Sequence, residues 1–438
     1  MSNAETIKIV QDVLETDRDW LIELTRDIVR IPSVNPKFHT EPRVNREADV
    51  QAHLERHLKE MGFQTEQWEV QPGRPNLVAD LPGSEDRSLI LNGHIDVVPI
   101  GDEAGWSVDP FGGTIKDGKL YGRGAIDMKS GVAACVAAAR AIRKAGVELE
   151  GRLSIHSVVD EEAGGFGSID AVKRGKLAKA ILVAEPTWGD VLPVEGGVEW
   201  LRVTFRGATA HASWRYNEIF PQHDTPDRLR PGVNAIEIAS RFIQALQFYE
   251  RDRTRARTHP LLPVGANTIN VGAIRGGAGL GPDGLPVTLT NPAITPDVAV
   301  VDLNMMFLPQ ETSAEVRRDF EAFVHSFAQT DAWLRQHPPV VSWELADLHF
   351  PPMNTSSDHP LVTSLVRHKG LVGKAPRVTG FVAVCDAAHY AGAGVDGVIF
   401  GPSGGGLHGV DEFVDVESII ETSKVIAAGV IDWCGVRG

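Results

Sequence analysis

The spacing of apolar residues changes period along the chain, and the changes divide it into parts. Over 17–30, Trp20, Leu21, Leu24 and Ile28, with Ile31 just beyond, track one side of a helix. Over 49–61, Val50, Leu54, Leu58 and Met61 do the same, and Gly62 follows as the kind of residue that closes a helix. Short apolar runs then alternate with helical stretches. The pattern predicts strands over 76–81, 88–92, 152–159 and 180–184, and helices over 129–145 and 168–174. Such alternation predicts an α/β domain with a mostly parallel sheet.

After Gly196 the texture differs. Strands are predicted over 199–205, 268–273, 298–307 and 340–345, and amphipathic helices over 234–253 and 313–328. Four strands with two helices on one face make an α+β sandwich. Polar loops rich in Pro and Gly separate these elements at 214–232 and 276–296. The α/β texture resumes with a helix over 361–369, a strand over 398–400 and a last helix over 416–433. The expected organisation is a catalytic α/β domain in two parts, 1–196 and 351–438, interrupted by an inserted α+β domain at 197–350. No internal repeat is evident.

The length of 438 residues exceeds one ordinary core, in line with this division. An apolar fraction of 42% and a charged fraction of 23% are those of a soluble globular protein. The net charge of −15 argues against nucleic acid or an anionic membrane as partner. Three cysteines, Cys135, Cys385 and Cys434, form no CxxC pair, so neither a disulfide framework nor a thiolate metal site is indicated. The first 18 residues lack the apolar stretch of a signal peptide, and no run is long enough to span a bilayer. A reducing, cytoplasmic setting is expected.

The chemistry concentrates where apolar runs end. His94 and Asp96 follow the run over 88–93, Asp160-Glu161-Glu162 the run over 153–159, Glu185 the run over 180–184, and Gly401 to His408 the run over 398–400. Asp127 stands at the mouth of the Ala-rich helix. Strands of a parallel sheet bring their carboxyl ends to one crevice, where ligands bind. Two imidazoles and several carboxylates in one crevice suit zinc or a similar divalent ion. On a strand, residues two apart share a side, so Asp96 is placed to accept from the far ring nitrogen of His94. Spacing alone does not decide which of Asp160, Glu161 and Glu162 binds a cation and which acts as base. His53 and His57, four apart on a helix, flank its apolar stripe with no third ligand near in sequence, and read as helix-edge residues. His156, inside a strand, reads as a core histidine.

Together these motifs resemble the M20 metallopeptidase and amidohydrolase family, which includes acetylornithine deacetylase, succinyl-diaminopimelate desuccinylase, aminoacylase and glutamate carboxypeptidase. The resemblance rests on Asn92-Gly-His94-Ile-Asp96-Val-Val-Pro99, Tyr121-Gly-Arg-Gly-Ala-Ile-Asp127-Met-Lys-Ser-Gly131, Asp160-Glu161-Glu162-Ala-Gly-Gly165, Ala184-Glu185-Pro186 and Leu407-His408-Gly-Val-Asp-Glu412. It extends to Arg206-Gly-Ala-Thr-Ala-His211-Ala-Ser213 in the inserted domain, which matches the family's lid and dimerisation domain. The resemblance implies two divalent ions, zinc or cobalt in its place. Asp127 would bridge them, with His94 and Glu185 on one and Glu162 and His408 on the other. It implies Glu161 as the base, His211 as oxyanion donor and substrate ligand, and Asn267 as a substrate contact, with Asp96 beside His94 counted among the catalytic residues. A homodimer through the lid is also implied. Glu185, where some relatives carry Asp, places the chain nearer the deacylase and glutamate carboxypeptidase branches. The sequence departs from the family at Asn304-Met305-Met306, where relatives often have Asp-x-Arg, and at Cys385-Asp386, where Thr-Asp is usual.

The expected activity is therefore metal-dependent hydrolysis of an N-acyl amino acid or a related small amide. A dipeptidase or carboxypeptidase with the same machinery is the second reading. A catalytically silent binding protein is the third, and it requires a lost ligand or base, which this sequence does not show.

Overall fold

The computed structural model describes residues 2–213, 232–287 and 291–437. The long loop expected over 214–231 lies outside the described residues. The strand Ser84–His94 sets the direction of the main sheet. Its first residues are exposed, but from Ser88 onward every side chain is buried. Leu89, Ile90 and Leu91 are covered on both faces, as in a parallel sheet flanked by helices. This strand runs parallel to Gly151–Val158 on one side and to Ala180–Val183 on the other. Asp396–Ile399 adds a fourth parallel strand beyond Ala180–Val183. Antiparallel strands extend both edges: Arg74–Leu81 and Gln64–Gln71 at one, Val191–Glu195 and Met353–Asn354 at the other. Val378–Phe381 joins Val191–Glu195 in parallel, completing nine strands.

The helix Ser130–Lys144 is buried almost all round, which its alanines allow by keeping it thin. Gly131 is its contact with the sheet, since a Cβ there would stand 2.0 Å from the Ala184 carbonyl oxygen. The helix Val416–Cys434 packs against it and against Pro360–Val372. A small antiparallel sheet of Thr114–Lys116, Lys119–Tyr121, Phe413–Asp415 and Gly404–Gly405 ties the loop carrying His408 to the stretch that leads into Asp127.

Several elements escaped the pattern reading, among them the strands Val191–Glu195 and Val378–Phe381 and the helix Ala387–Gly392, and two others show why. The helix Asn3–Thr16 is closed by a Ser2–Glu5 capping box and buries Ile7, Val10 and Leu14. Three apolar positions among charges make too narrow a stripe to stand out. The strand Gln64–Gln71 sits at the sheet edge with no fully buried residue, so its apolar alternation is faint.

Contacts divide the chain into two compact units, Met1–Glu195 with Met353–Gly438, and Gly196–Pro352. The second unit is an antiparallel sheet of Ile269–Gly277, Val298–Phe307, Gly197–Arg206 and Val340–Trp343, with His349–Phe350 as a short fifth strand on Gly197–Arg206. The helices Ala235–Ala256 and Ser313–Gln329 supply Phe242 and Phe320 to its core, against Phe205 and Leu303. Among the described residues, no helix is long and apolar enough to cross a membrane.

Candidate metal centre

The carboxyl ends of the parallel strands deliver the predicted ligands to one place. His94 is the last residue of its strand, and Glu161, Glu162 and Glu185 follow the next two. His94 Nε2 lies 3.3 Å from Asp127 Oδ1, 3.6 Å from Glu185 Oε1 and 3.8 Å from Glu161 Oε2. His408 Nε2 lies 3.3 Å from Asp127 Oδ2 and 3.1 Å from Glu162 Oε2. One carboxylate oxygen of Asp127 therefore faces each imidazole. His94 is fully buried, whereas His408 is exposed.

The electrostatics of this cluster favour a cation. Burial, followed by repulsion from neighbouring carboxylates against the pull of His94, raises Glu161 and Glu185 well above the usual carboxylate range. Glu162 is raised as well, first by burial and then by Asp127. Burial opposes charge on His94, but Glu185, Asp127 and Glu161 overcome it and raise the imidazole well above its ordinary value. Hydrogen bonds to Asp127 and Glu162 push His408 up to about 10. Asp127 itself is held far down: burial opposes this, and His408 and His94 outweigh it. Protons on two imidazoles thus balance the acidic groups when no metal is bound. Divalent cations supply the same compensation and release those protons.

The supporting residues explain the aim of each ligand. His94 Nδ1 donates to the backbone carbonyl of Asp96 at 2.9 Å, which leaves Nε2 facing the cluster. This corrects the expected hydrogen bond, although the Asp96 carboxylate still stands beside the same nitrogen, with Oδ1 3.7 Å from Nδ1. The strand ends at His94, so the Asp96 carboxylate lies near Nδ1 but outside hydrogen-bond distance. The buried Asp96 carboxylate instead accepts from Asn35 Nδ2 at 2.8 Å and from the backbone N–H groups of Glu161 at 3.1 Å and Glu162 at 3.3 Å. It holds the turn that presents both glutamates. Glu412 does the same for Asp127, accepting from the N–H groups of Ile126 at 3.1 Å and Asp127 at 3.2 Å, and is itself paired with Arg123 at 2.5 Å.

The acidic triplet separates by environment. Asp160 has a left-handed backbone, φ 73°, and turns to Arg74 at 2.6 Å and Lys37 at 2.6 Å. It is thereby engaged away from the cluster. Glu161 and Glu162 remain, and distance to His94 does not rank one as base. Asp386, noted in the sequence only as part of a departure, is fully buried with no hydrogen-bond partner for either oxygen among the described residues. Burial pushes it up to about 7, and its charge adds to the repulsion felt by Glu161 and Glu185. No spacing rule pointed to it, since it follows the short strand Val378–Phe381 by several residues.

His211 and Asn267 belong to the second unit and are described there. His211 is exposed and accepts at Nδ1 from the Ser213 N–H at 3.2 Å. Asn267 is fully buried, and its side-chain oxygen and nitrogen have no partner among the described residues. Of the other candidates, His53 and His57 stack edge-on at 5.0 Å without forming a ligand set, and His156 is a core histidine bonded to Tyr390 and Ser154.

The chain matches the model of peptidase family M20/M25/M40 over residues 90–431, and it belongs to that family. It is 31% identical to an N-formyl-4-amino-5-aminomethyl-2-methylpyrimidine deformylase of Bacillus subtilis over 98% of both chains. Its fold is similar to that of aminopeptidase PepT of Bacillus cereus, with a TM-score of 0.69, 21% identity, and 95% and 98% of the two chains covered. It is also similar to a dinuclear metal-binding M20 peptidase of Bacillus subtilis, with a TM-score of 0.64, 16% identity, and 95% and 98% covered. The protein is a hydrolase of amide bonds with a metal-binding centre.

Proposed function

We propose that this chain removes a small acyl group, formyl first among candidates, from a flat heteroaromatic amine, using two divalent ions, zinc by preference. The observation that carries the metal part is the placement of Asp127, with one oxygen facing His94 and the other facing His408. His94 and Glu185 would hold one ion, Glu162 and His408 the other, and Asp127 both. Bound ions of this kind lower the pKa of water and polarise a carbonyl. The remaining work falls to the chain. Glu161 takes a proton as the water oxygen bonds the acyl carbon, and returns it to the nitrogen as the C–N bond breaks. The products are formate and the free amine. His211 donates to the oxyanion and Asn267 contacts substrate.

Two features support the amine. A relative 31% identical over 98% of both chains is named an N-formyl-4-amino-5-aminomethyl-2-methylpyrimidine deformylase. Asn304-Met305-Met306 replaces the Asp-x-Arg of many relatives, so a group suited to a substrate carboxylate is missing. This shifts the reading from N-acyl amino acids toward amines without a carboxylate. Three buried, unpaired cysteines support a reducing compartment such as the cytoplasm. A homodimer through the second unit completes the reading.

The test is a panel offered to the zinc-loaded protein: the formylated aminomethylpyrimidine, N-acetyl and N-succinyl amino acids, and dipeptides. The formamide is expected to give the highest kcat/KM. A dipeptide at the top would establish the peptidase reading instead. His211→Ala should lower kcat by roughly 10²-fold with metal retained.

A further inference from the structure

Trp188 is an exposed indole set between two ligand-bearing loops. It follows Glu185 by three residues, and its Nε1 donates to the Gly404 carbonyl at 2.9 Å, four residues before His408. The residue is 56% exposed, high for a tryptophan, and among the described residues no ring or cation stacks on it. Its backbone is left-handed, φ 54°, a conformation that bulky residues rarely adopt and that persists where the surroundings fix it. The surroundings do fix it. Trp188 N–H donates to the Pro402 carbonyl at 3.3 Å, Gly189 N–H to Gly401 at 3.3 Å, and the Thr187 hydroxyl is bonded to both N–H and carbonyl of Gly401. The strap over 185–189 is thus sewn to the loop that carries His408. Leu407 and Val410, which flank His408, are also exposed apolar residues. The two loops that carry Glu185 and His408 therefore present exposed apolar side chains and one pinned indole.

We infer that Trp188 is the specificity-determining platform on which the flat ring of the amine stacks. The inference rests on the proposed activity toward a heteroaromatic amide. An indole held by its N–H offers its face at little further ordering cost, and stacking on an aromatic ring tolerates the details of the ligand. A polar substituent pattern on the ring is not what this surface reads. Flatness and breadth are.

The test compares two formamides on the zinc-loaded protein, one of an aminomethylpyrimidine and one of a straight-chain aliphatic amine. Trp188→Leu removes both the ring and its hydrogen bond. Trp188→Phe removes the hydrogen bond and keeps a ring. Trp188→Leu is expected to raise KM for the aromatic formamide about tenfold with kcat nearly unchanged, and to leave the aliphatic one alone. Trp188→Phe should keep most of the aromatic preference. Equal losses on both substrates, in both variants, would assign Trp188 to holding the His408 loop and overturn the inference. Unchanged constants would overturn it too. If the wild-type protein cleaves neither formamide, the activity reading fails by itself. Stacking is then decided by calorimetry of the two free amines. Tighter binding of the ring amine to wild type than to Trp188→Leu, by about tenfold, supports the platform. Equal binding refutes it.

Discussion

Replacing Asp96 by Asn separates a residue that aims the catalytic groups from one that merely ends a strand. The Asp96 carboxylate is fully buried and accepts from Asn35 Nδ2, Glu161 N–H and Glu162 N–H at 2.8, 3.1 and 3.3 Å. Asparagine matches its size but has one acceptor oxygen, so its NH2 must face at least one of these donors. Losing a hydrogen bond to a charged group costs about 1.5–3 kcal/mol. The second hydrogen of Asn35 is already given to Asp160 at 3.0 Å, which limits its freedom to turn away. The mismatch therefore falls on the turn bearing Glu161 and Glu162. At about 1.4 kcal/mol per tenfold, a loss of that size in the transition state lowers kcat by about 10–100-fold. Metal analysis by mass spectrometry, turnover of the preferred amide and thermal melting are measured together. Turnover should fall while at least one ion stays bound, and the melting temperature should drop. A fully metallated Asp96→Asn protein with turnover within about twofold of wild type would refute the positioning argument.

Three further outcomes follow from the same geometry. Glu161→Gln should retain metal near the wild-type level and lose on the order of 10²–10⁴ in turnover, the range of general base catalysis; normal turnover in a metal-replete variant would move the base elsewhere. Gly131→Ala places a Cβ 2.0 Å from the Ala184 carbonyl oxygen, so it should cost about 1–3 kcal/mol in denaturant unfolding and weaken metal binding through Glu185; an unchanged midpoint would contradict this contact. Burial pushes His156 down to about 3, while an unfolded chain protonates it near pH 6.5. The unfolded state then binds more protons between those values, so stability is full above about pH 6.5 and falls toward pH 3, at up to about 1.4 kcal/mol per pH unit. His156→Gln should flatten that slope between pH 7 and 5, and an identical slope would exclude His156 as its source.

Much of this was legible in the sequence for a physical reason. Parallel strands place their carboxyl ends together, so motifs at the ends of separate apolar runs had to meet. His94, Glu161, Glu162 and Glu185 are read that way. His408, beyond the run over 398–400, is placed by the same rule, whereas the role of Asp127 needed the family resemblance, since a helix-mouth aspartate alone does not announce a site. The choice within Asp160-Glu161-Glu162 was hidden, because it depends on Arg74 and Lys37, which are remote in sequence. Alternation put the Asp96 carboxylate on the His94 side, but its hydrogen bonds go to Asn35 and to the Glu161 and Glu162 N–H groups, which no spacing shows. Asp386 was invisible as a site residue, since the groups it acts on, Glu161 and Glu185, are remote from it in sequence. The helix Asn3–Thr16 was missed because its stripe of Ile7, Val10 and Leu14 is narrow.

On the proposed function, five side chains from separate segments, His94, Asp127, Glu162, Glu185 and His408, hold two divalent ions that the reaction requires. Metal stripped by a chelator and returned in measured steps tests it most directly, with bound metal and amide hydrolysis followed on the same samples. Activity should be lost on stripping and recover to saturation at about two equivalents of zinc or cobalt per chain, and His408→Ala should fail to hold the second equivalent. Full hydrolytic activity in a sample shown to be free of metal would contradict it.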